Sequence, residues 1–231
     1  MSSTGRAGSS RPARPVLCVV VVPMLGRGHL MDRLRESLAA STDDARILWV
    51  VTGGDFDVLD RLDGDDYVLT PPRPRGDYAH KVNAGVAASD EPLIFTGAID
   101  LHFHPGWLEI AERHLDDQIR VVGTNDLCNP RTAAGHSTHT LVARDYVSRG
   151  LIDGRPGLLC EDYLHEMCDD EIVGTARKRG AYAHAPDAHV EHLHWSAGKR
   201  EKDETDDMYG GMNQRMWADR ALYRQRRALW P

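Results

Sequence analysis

Two distant segments of the chain carry the side chains that are best suited to chemistry. The segment IFTGAIDLHFHPGW contains Asp100 and His102, and the segment HVEHLHW contains His192 and His194. Carboxylate oxygens and imidazole nitrogens are both ligands for divalent cations. The sequence therefore predicts a metal site formed by Asp100, His102 and one or both of His192 and His194.

The spacing within each segment predicts which side chains face the ion. Alternate residues of an extended segment point to the same side, so we expect Asp100 to share a side with His102, and His192 to share one with His194. His189 then faces the other way and is read as structural. Two alternatives stay open at this point: a solvent-exposed turn with a capping aspartate, and a surface strand that is merely rich in histidine.

An acidic cluster between these two segments is the candidate for acid–base work. It consists of Asp169, Asp170 and Glu171 in the sequence CDDE, and a carboxylate there can take a proton from an attacking hydroxyl. The pair Glu161–Asp162 is a rival for this role. The alternative is a helix N-terminus, where acidic residues interact favourably with the helix dipole.

Composition limits the classes of protein to be considered. The chain has 231 residues, 41% hydrophobic and 27% charged, and a net charge of −7, which argues against general nucleic-acid affinity but leaves room for a local basic groove. The apolar run VLCVVVV is too short to cross a bilayer and is not followed by a cleavage site. The four cysteines lack CxxC spacing, so we expect a reducing cytoplasm, no zinc–thiolate site, and Cys18 in the core.

The alternation of apolar strands and amphipathic helices predicts an α/β fold with a mostly parallel sheet flanked by helices. Strands are expected in VLCVVVVPM, RILWVVTGGD, YVLT, EPLIFTG and Arg120–Thr124, and helices in GRGHLMDRLRESLAAS, DYAHKVNAGVAASD and Gly106–Asp116. Asp77 is a plausible N-cap for the second of these helices. The second half is less regular, with a His/Thr-rich loop at Gly135–Thr140, a helix over about Asp170–Arg179 and a short strand around Ala181–Ala185.

Ligands of such sheets bind at the carboxyl ends of the strands. Thr52–Asp55 and Ile99–His104 both fall at such ends, so the fold itself brings them together. Arg73, Arg75, His80 and Lys81 follow the third strand, and they form either a phosphate-neutralising cluster or a solvated basic loop. The GRGH turn after the first strand is not GxGxxG and gives little support to a dinucleotide fold.

These segments together resemble glycosyltransferases of the GT-A fold, especially family 2 and the polypeptide N-acetylgalactosaminyltransferases. The resemblance covers most of Val16–Trp195. VVVVPMLGRGHLMDRLRESLAA is similar to the first strand and helix of that family, VVTGGD to its second strand, and CDDEIVGTARKRG to its Glu-Asp-x-Asp-Leu stretch. The Asp-x-His motif with EHLHW also looks like the small glycosyltransferases encoded by actinobacteriophages.

The resemblance implies roles for individual residues. Asp55 would contact the nucleotide base, and Lys81, Asn83 and Arg27 would lie near the donor. Asp100 matches the last residue of the family's Asp-x-Asp motif, while Ala98 stands where another acid is common. The variant Asp100-x-His102, followed by Trp107 and Leu108, is closer to the N-acetylgalactosaminyltransferases. Asp169 would be the acceptor-side base, with Asp170 beside it and Cys168 in place of the usual Glu, and His192 or His194 would bind the metal.

The function implied is a metal-dependent transfer of sugar from a nucleotide-diphosphate donor, most simply a UDP-sugar, to an acceptor hydroxyl with Mn²⁺ or Mg²⁺. The acceptor stays open between modified DNA, protein, lipid and a small molecule, as does inversion or retention. A nucleotide-sugar metallohydrolase or pyrophosphatase, and a non-catalytic nucleotide-sugar-binding module, are the alternatives. Residues 15–197 would form one catalytic domain, with a nucleotide-binding half over about 15–104 and an acceptor half over about 105–197.

The two ends of the chain lie outside this domain. Residues 1–14 are small, polar and basic, and we expect them to be disordered. Residues 198–231 comprise an acidic loop, a double glycine (Gly210, Gly211) and a basic amphipathic helix. That helix would contact DNA phosphates, anionic lipid or a partner subunit in a homo-oligomer through residues such as Arg224 and Arg227. Alternatively it has a solvated face, with Met216, either Ala221 or Leu222, and Trp230 packed inward.

Overall fold

The computed structural model describes residues 16–73, 77–208 and 212–230. The predicted tail at 1–14, Arg75, and the double glycine at 210–211 lie outside these residues. Within them, eight strands form one sheet in the order β3-β2-β1-β4-β7-β6-β8-β5. The strands are β1 (Cys18–Pro23), β2 (Ala45–Thr52), β3 (Tyr67–Thr70), β4 (Leu93–Thr96), β5 (Leu101–Phe103), β6 (Val121–Asn125), β7 (Thr140–Ala143) and β8 (Tyr182–His192).

The predicted α/β class with a mostly parallel sheet is confirmed. Of the seven neighbouring strand pairs, four are parallel (β3–β2, β2–β1, β1–β4 and β6–β8). The other three are antiparallel. Strand β1 lies between β2 and β4, and five of its six residues are buried. A continuous apolar run such as CVVVVP is what a strand covered on both faces requires.

Helices cover both faces of the sheet. They are α1 (Met31–Ser41), α2 (Phe56–Leu59), α3 (Asp77–Ala87), α4 (Trp107–Glu112), α5 (Pro130–Ala133), α6 (Cys168–Lys178), α7 (Glu204–Met208) and α8 (Met212–Arg227). One apolar layer contains Leu34 of α1 and Trp107 of α4, and the other contains Val82 of α3 and Ile172 of α6. No helix of the described residues combines the length and the apolar character that crossing a membrane requires.

Strand β8 differs from the sequence prediction and matters most for the site. A short strand around Ala181–Ala185 was expected, but β8 continues without a break to His192. Its first part pairs in parallel with β6 and its last part pairs antiparallel with β5, with an irregularity opposite Gly123 and Asn125. Strand β7 was also not predicted, because its four residues are too few to show a period.

Helix α8 packs onto the domain, as the inward-packing alternative for the basic helix requires. Leu222 and Tyr223 contact the apolar layer beneath α6, and the ring of Trp230 lies over Gly174 so closely that a Cβ there would lie 2.3 Å from a ring carbon. Asp219 accepts three hydrogen bonds from the backbone N–H groups of residues 164–166, at 2.7, 2.9 and 2.8 Å. The helix therefore holds this loop in place.

Replacing Asp219 by Ala is expected to lower the free energy of unfolding by about 3 kcal/mol, because three backbone donors lose a charged acceptor. Asp219 is only 1% exposed, so water replaces that acceptor poorly. Urea denaturation measures the change. The exposed Asp117→Ala variant is the control and should stay within about 0.5 kcal/mol of wild type. A matching small effect at Asp219 would contradict the anchoring role.

Candidate active site

A cleft of about 280 Å³ lies at the carboxyl ends of β1 and β4. Elements from the whole chain line it, as expected where strand order reverses in an α/β sheet. The lining includes Arg27 from the turn after β1, Asp100 from the turn after β4, and His139 just before β7. Asp169 at the start of α6, the end of β8 with the residues that follow it, and Asp206 of α7 also line it.

Asp100 and His192 meet in this cleft. The Nε2 atom of His192 lies 3.3 Å from Oδ1 of Asp100, and the backbone N–H of Leu193 donates to the Asp100 carbonyl at 2.8 Å. Asp100 is 4% exposed. Burial by itself would raise its pKa, but the hydrogen bond from His192 and the charges of Arg27 and Arg200 outweigh burial and lower the pKa. The carboxylate is therefore ionised at neutral pH.

His139 is a third potential ligand, which the sequence analysis did not single out. Its Nδ1–H donates to the Thr96 carbonyl at 2.8 Å, so Nε2 carries the lone pair. This Nε2 is buried and has no hydrogen-bond partner among the described residues, and the ring lies 5.4 Å from that of His192, centroid to centroid. Burial first, and then proximity to His192, lowers the pKa of His139 to about 4. It is a neutral imidazole with a free lone pair.

Two guanidinium groups also surround Asp100. Arg27 Nη1 lies 3.9 Å from Oδ2 of Asp100, and Arg200 Nη2 lies 3.5 Å from the same oxygen. Both arginines are paired in addition with Asp206, and Arg27 Nε lies 3.0 Å from an oxygen of Asp203. Thr205 and Asp206 of the predicted acidic loop thus line the cleft, and Arg200 of the same loop pairs with Asp100.

Of the three acids in CDDE, Asp169 alone lines the cleft. His136 Nε2 lies 3.2 Å from its Oδ2. Asp170 pairs with Arg131, and Glu171 is buried against Arg226, so these two acids have structural partners. His136, Asp169 and Asp170 do have ligand atoms within 4.8 Å of one another, but of these three residues only Asp169 lines the cleft.

His102 does not join Asp100, contrary to the prediction. Asp100 lies in a turn that precedes β5, so the alternation assumed for a strand does not extend to it. In the β5–β8 pair His102 lies opposite Glu191, whereas Leu101 lies opposite His192. Directly opposed residues share a face, so His102 is on the far side of this pair from His192. His194 does line the cleft, with its Nδ1 2.7 Å from the Ser196 hydroxyl.

Three of the predicted donor-binding residues hold loops beside the cleft and do not line it. Oδ2 of Asp55 accepts the backbone N–H of Gly26 at 2.7 Å. Lys81 is fully buried and bonds to the Met24 carbonyl and to Asp77. Asn83 bonds to the loop at residues 158–161 through both ends of its amide. Arg27 is the predicted donor-binding residue that does line the cleft.

The buried neutral state of His139 predicts a pH dependence of stability. Its folded pKa of about 4 lies below the ordinary value near 6.5, so protonation favours the unfolded chain. The free energy of unfolding that depends on neutral His139 is fully present above pH 6.5 and decreases as the pH drops toward 4. Between pH 7 and pH 4.5 the metal-free protein should lose about 2 to 3 kcal/mol from this group.

The His139→Asn variant tests this, because its amide can still donate to the Thr96 carbonyl but does not titrate. Urea denaturation of both proteins at several pH values gives the difference curve, in which the other titrating groups cancel. The variant should show a shallower loss toward pH 4.5. Parallel curves would contradict the assignment.

The fold is matched by solved structures, although no protein-family model and no curated protein sequence matches the chain. A mannosyltransferase from Pyrobaculum calidifontis, in complex with GDP-Man and Mn²⁺, superposes with a TM-score of 0.58 at 15% identity over 78% of this chain. Glucosyl-3-phosphoglycerate synthase from Mycobacterium tuberculosis, with Mn²⁺ and UDP-glucose, gives 0.54 at 18% identity, covering 87% of this chain and 77% of that one.

The chain has the GT-A fold. The predicted fold is thereby confirmed, while identities this low show the fold alone. The chain spans 58% of the length of the mannosyltransferase. Asp100 and His192 lie at the carboxyl ends of strands of this sheet, the end at which open α/β sheets in general bind ligands.

Proposed function

We propose that the protein is a metal-dependent glycosyltransferase that moves a sugar from a nucleotide-diphosphate donor to an acceptor hydroxyl. The observation that carries the proposal is the contact between Asp100 and His192 within the cleft of a GT-A sheet. Two structures of this fold contain Mn²⁺ together with GDP-Man or UDP-glucose. A UDP-sugar or a GDP-sugar is accordingly the donor to test first.

The residues present fit a divalent cation. Asp100 supplies an ionised oxygen, and His192 supplies an imidazole nitrogen next to it. His139 adds a buried lone pair with no other partner among the described residues, and His194 stands beside His192 with ring centroids 5.2 Å apart. We propose that Asp100 and His192 hold Mn²⁺ or Mg²⁺, with His139 and His194 as neighbouring donors. The ion, when bound, neutralises charge on the leaving nucleotide diphosphate.

Arg27 lines the cleft and is proposed to bind the phosphates of the donor, while Arg200, which is not part of the lining, supports Asp100. Both guanidinium groups flank Asp100, and arginine binds phosphate oxygens in a bidentate manner. Their present partners, Asp203 and Asp206, keep both side chains in position. Asp55, Lys81 and Asn83 then act on the donor indirectly, because they fix the loops that border the cleft.

Asp169 is proposed as the residue that accepts or orients the proton of the acceptor hydroxyl. It lies in the cleft wall at the start of α6. His136, which is buried, holds its Oδ2 at 3.2 Å, and we assign Oδ1 to the acceptor. His136 is therefore a positioning residue for the base. The loop at Gly135–Thr140 carries His136 and so helps to orient Asp169.

A nucleotide-sugar panel with and without Mn²⁺ tests the proposal. A donor that binds should raise the melting temperature only when the metal is present, because ligand binding to the folded state raises apparent stability. Release of nucleotide is then followed with and without candidate acceptors. Release that requires an acceptor supports transfer, and release without one supports a nucleotide-sugar hydrolase. Binding without any release supports a non-catalytic module.

A further inference from the structure

The β5–β8 pair divides the histidines of the two motifs between its faces. Leu101 and His192 lie opposite each other on one face, which continues into the core and the cleft. His102 and Glu191 lie opposite each other on the other face. The next pair along this outer face is His104 and His189. The backbone N–H of His104 donates to the backbone carbonyl of His189 at 3.2 Å. Three imidazoles and one carboxylate therefore form a two-by-two patch, which we call the outer histidine patch.

Two neighbouring pairs of rings in the outer histidine patch are spaced as ligands of one ion are. The ring centroids of His102 and His104 are 5.1 Å apart, and those of His104 and His189 are 5.9 Å apart. A metal–nitrogen distance of about 2.0 to 2.1 Å places each centroid about 3.2 Å from the ion, so two tetrahedral ligands have centroids about 5 Å apart. The strand pair thus sets the spacing of these two pairs of rings. Among the described residues the ligand atoms of this patch do not yet lie within 4.8 Å of one another, so binding of one ion requires the rings to rotate about their side-chain bonds.

The Glu191 carboxylate already contacts a histidine of the patch. Glu191 Oε2 lies 3.2 Å from Nε2 of His104, and its Oε1 bonds to Lys199. The hydrogen bond from Lys199, and then that from His104, lower the pKa of Glu191 against the opposing effect of burial, so the group is ionised. The Lys199 side chain is 31% exposed and can move into solvent when a cation replaces it.

We propose that His102, His104, His189 and Glu191 form a second metal site, on the face of the β5–β8 pair opposite the cleft. A donor set of three imidazoles and one carboxylate suits Zn²⁺ and related imidazole-preferring ions over Mg²⁺ or Mn²⁺. The ion would tie together two strands that are far apart in sequence and whose neighbouring residues are Asp100 and His192. An ion there would hold β5 and β8 together next to the cleft. This second site does not depend on the proposed transferase activity.

Titration of the metal-free, full-length protein with ZnCl₂ by calorimetry tests this site. Wild type and the Asp100→Asn/His192→Asn variant should both bind one Zn²⁺ at the outer histidine patch, and the His104→Asn/His189→Asn variant should lose at least tenfold in that affinity. The matched control is His29→Asn/His114→Asn, which removes two exposed histidines elsewhere and should leave binding unchanged.

Two further measurements keep the result unambiguous. Zn²⁺ should raise the melting temperature of wild type by several degrees but not that of His104→Asn/His189→Asn, whose melting without metal shows whether it is folded. Co²⁺ should give the intense visible absorption of a tetrahedral complex in wild type, and His102→Gln alone should weaken it. The proposal is overturned if binding is lost in Asp100→Asn/His192→Asn but kept in His104→Asn/His189→Asn, or if neither variant differs from the control.

Discussion

Replacement of Asp100 by asparagine is expected to lower kcat/KM for sugar transfer by about a thousandfold. The substitution keeps the shape of the side chain but removes the ionised oxygen that lies 3.3 Å from His192. Loss of one preorganised electrostatic contact to the charge that develops in the transition state commonly lowers the rate by a factor of about this size. The loss should come with a fall of at least tenfold in Mn²⁺ affinity, measured by calorimetry or electron paramagnetic resonance.

The same variant must remain folded for this result to be informative. Arg27 and Arg200 keep Asp206 as a partner when Asp100 loses its charge, so we expect only a modest loss of stability, of about 1 to 2 kcal/mol. Asp117→Asn, at an exposed position, serves as the matched control. An Asp100→Asn protein with wild-type Mn²⁺ affinity and wild-type turnover would remove Asp100 from the site, and with it the proposed function.

The contact between Asp100 and His192 could be predicted because it depends on the order and direction of the strands more than on the local conformation of either segment. The alternation of apolar runs and amphipathic stretches fixes strands whose carboxyl ends meet. Asp100, which directly follows LIFTGAI, and the histidines at the end of the last strand must then lie at the carboxyl ends of the strands. Such reasoning needs only the class of each element and its direction in the sheet, which period and composition supply.

The face on which each side chain lies could not be predicted in the same way. Asp100 and His102 are two residues apart, yet a turn between β4 and β5 breaks the alternation and sends His102 to the outer face. Lys81 shows the same limit. A lysine in a basic stretch is typical of a phosphate contact, but here it is fully buried and holds the Met24 carbonyl. Burial of an individual side chain depends on long-range packing, which no local pattern encodes.

His139 and Arg200 were missed for a further reason. Both come from segments whose composition is typical of loops, and tertiary contacts bring His139 to the cleft and Arg200 to Asp100. His139 is fixed by Thr96 of β4, and Arg200 by Asp206 of α7. The one available signal for His139 was a pair of histidines in the loop GHSTH. A sequence dense in imidazole should therefore be searched for ligands beyond the motif that is first recognised.

The largest loss of stability is expected from replacing Arg226 by methionine, about 3 to 4 kcal/mol. Arg226 forms two hydrogen bonds with Glu171, at 2.6 and 2.8 Å, and a third with Asp153 at 2.6 Å. Glu171 is 5% exposed, so the variant leaves a buried carboxylate whose remaining hydrogen bond comes from the Tyr163 hydroxyl. Removing one partner of a buried ion pair has a cost of this size. Urea denaturation at pH 7 gives the value.

The matched control is Arg224→Met, since Arg224 lies on the same helix but is exposed. Its free energy of unfolding should change by less than about 0.5 kcal/mol. The double variant Glu171→Gln/Arg226→Met should recover part of the loss, because no uncompensated charge stays buried and the amide still accepts from Tyr163. A loss below about 1 kcal/mol for Arg226→Met would show that α8 is not held by this pair. The basic helix would then again be open to a role at the surface, in contact with phosphates or a second subunit.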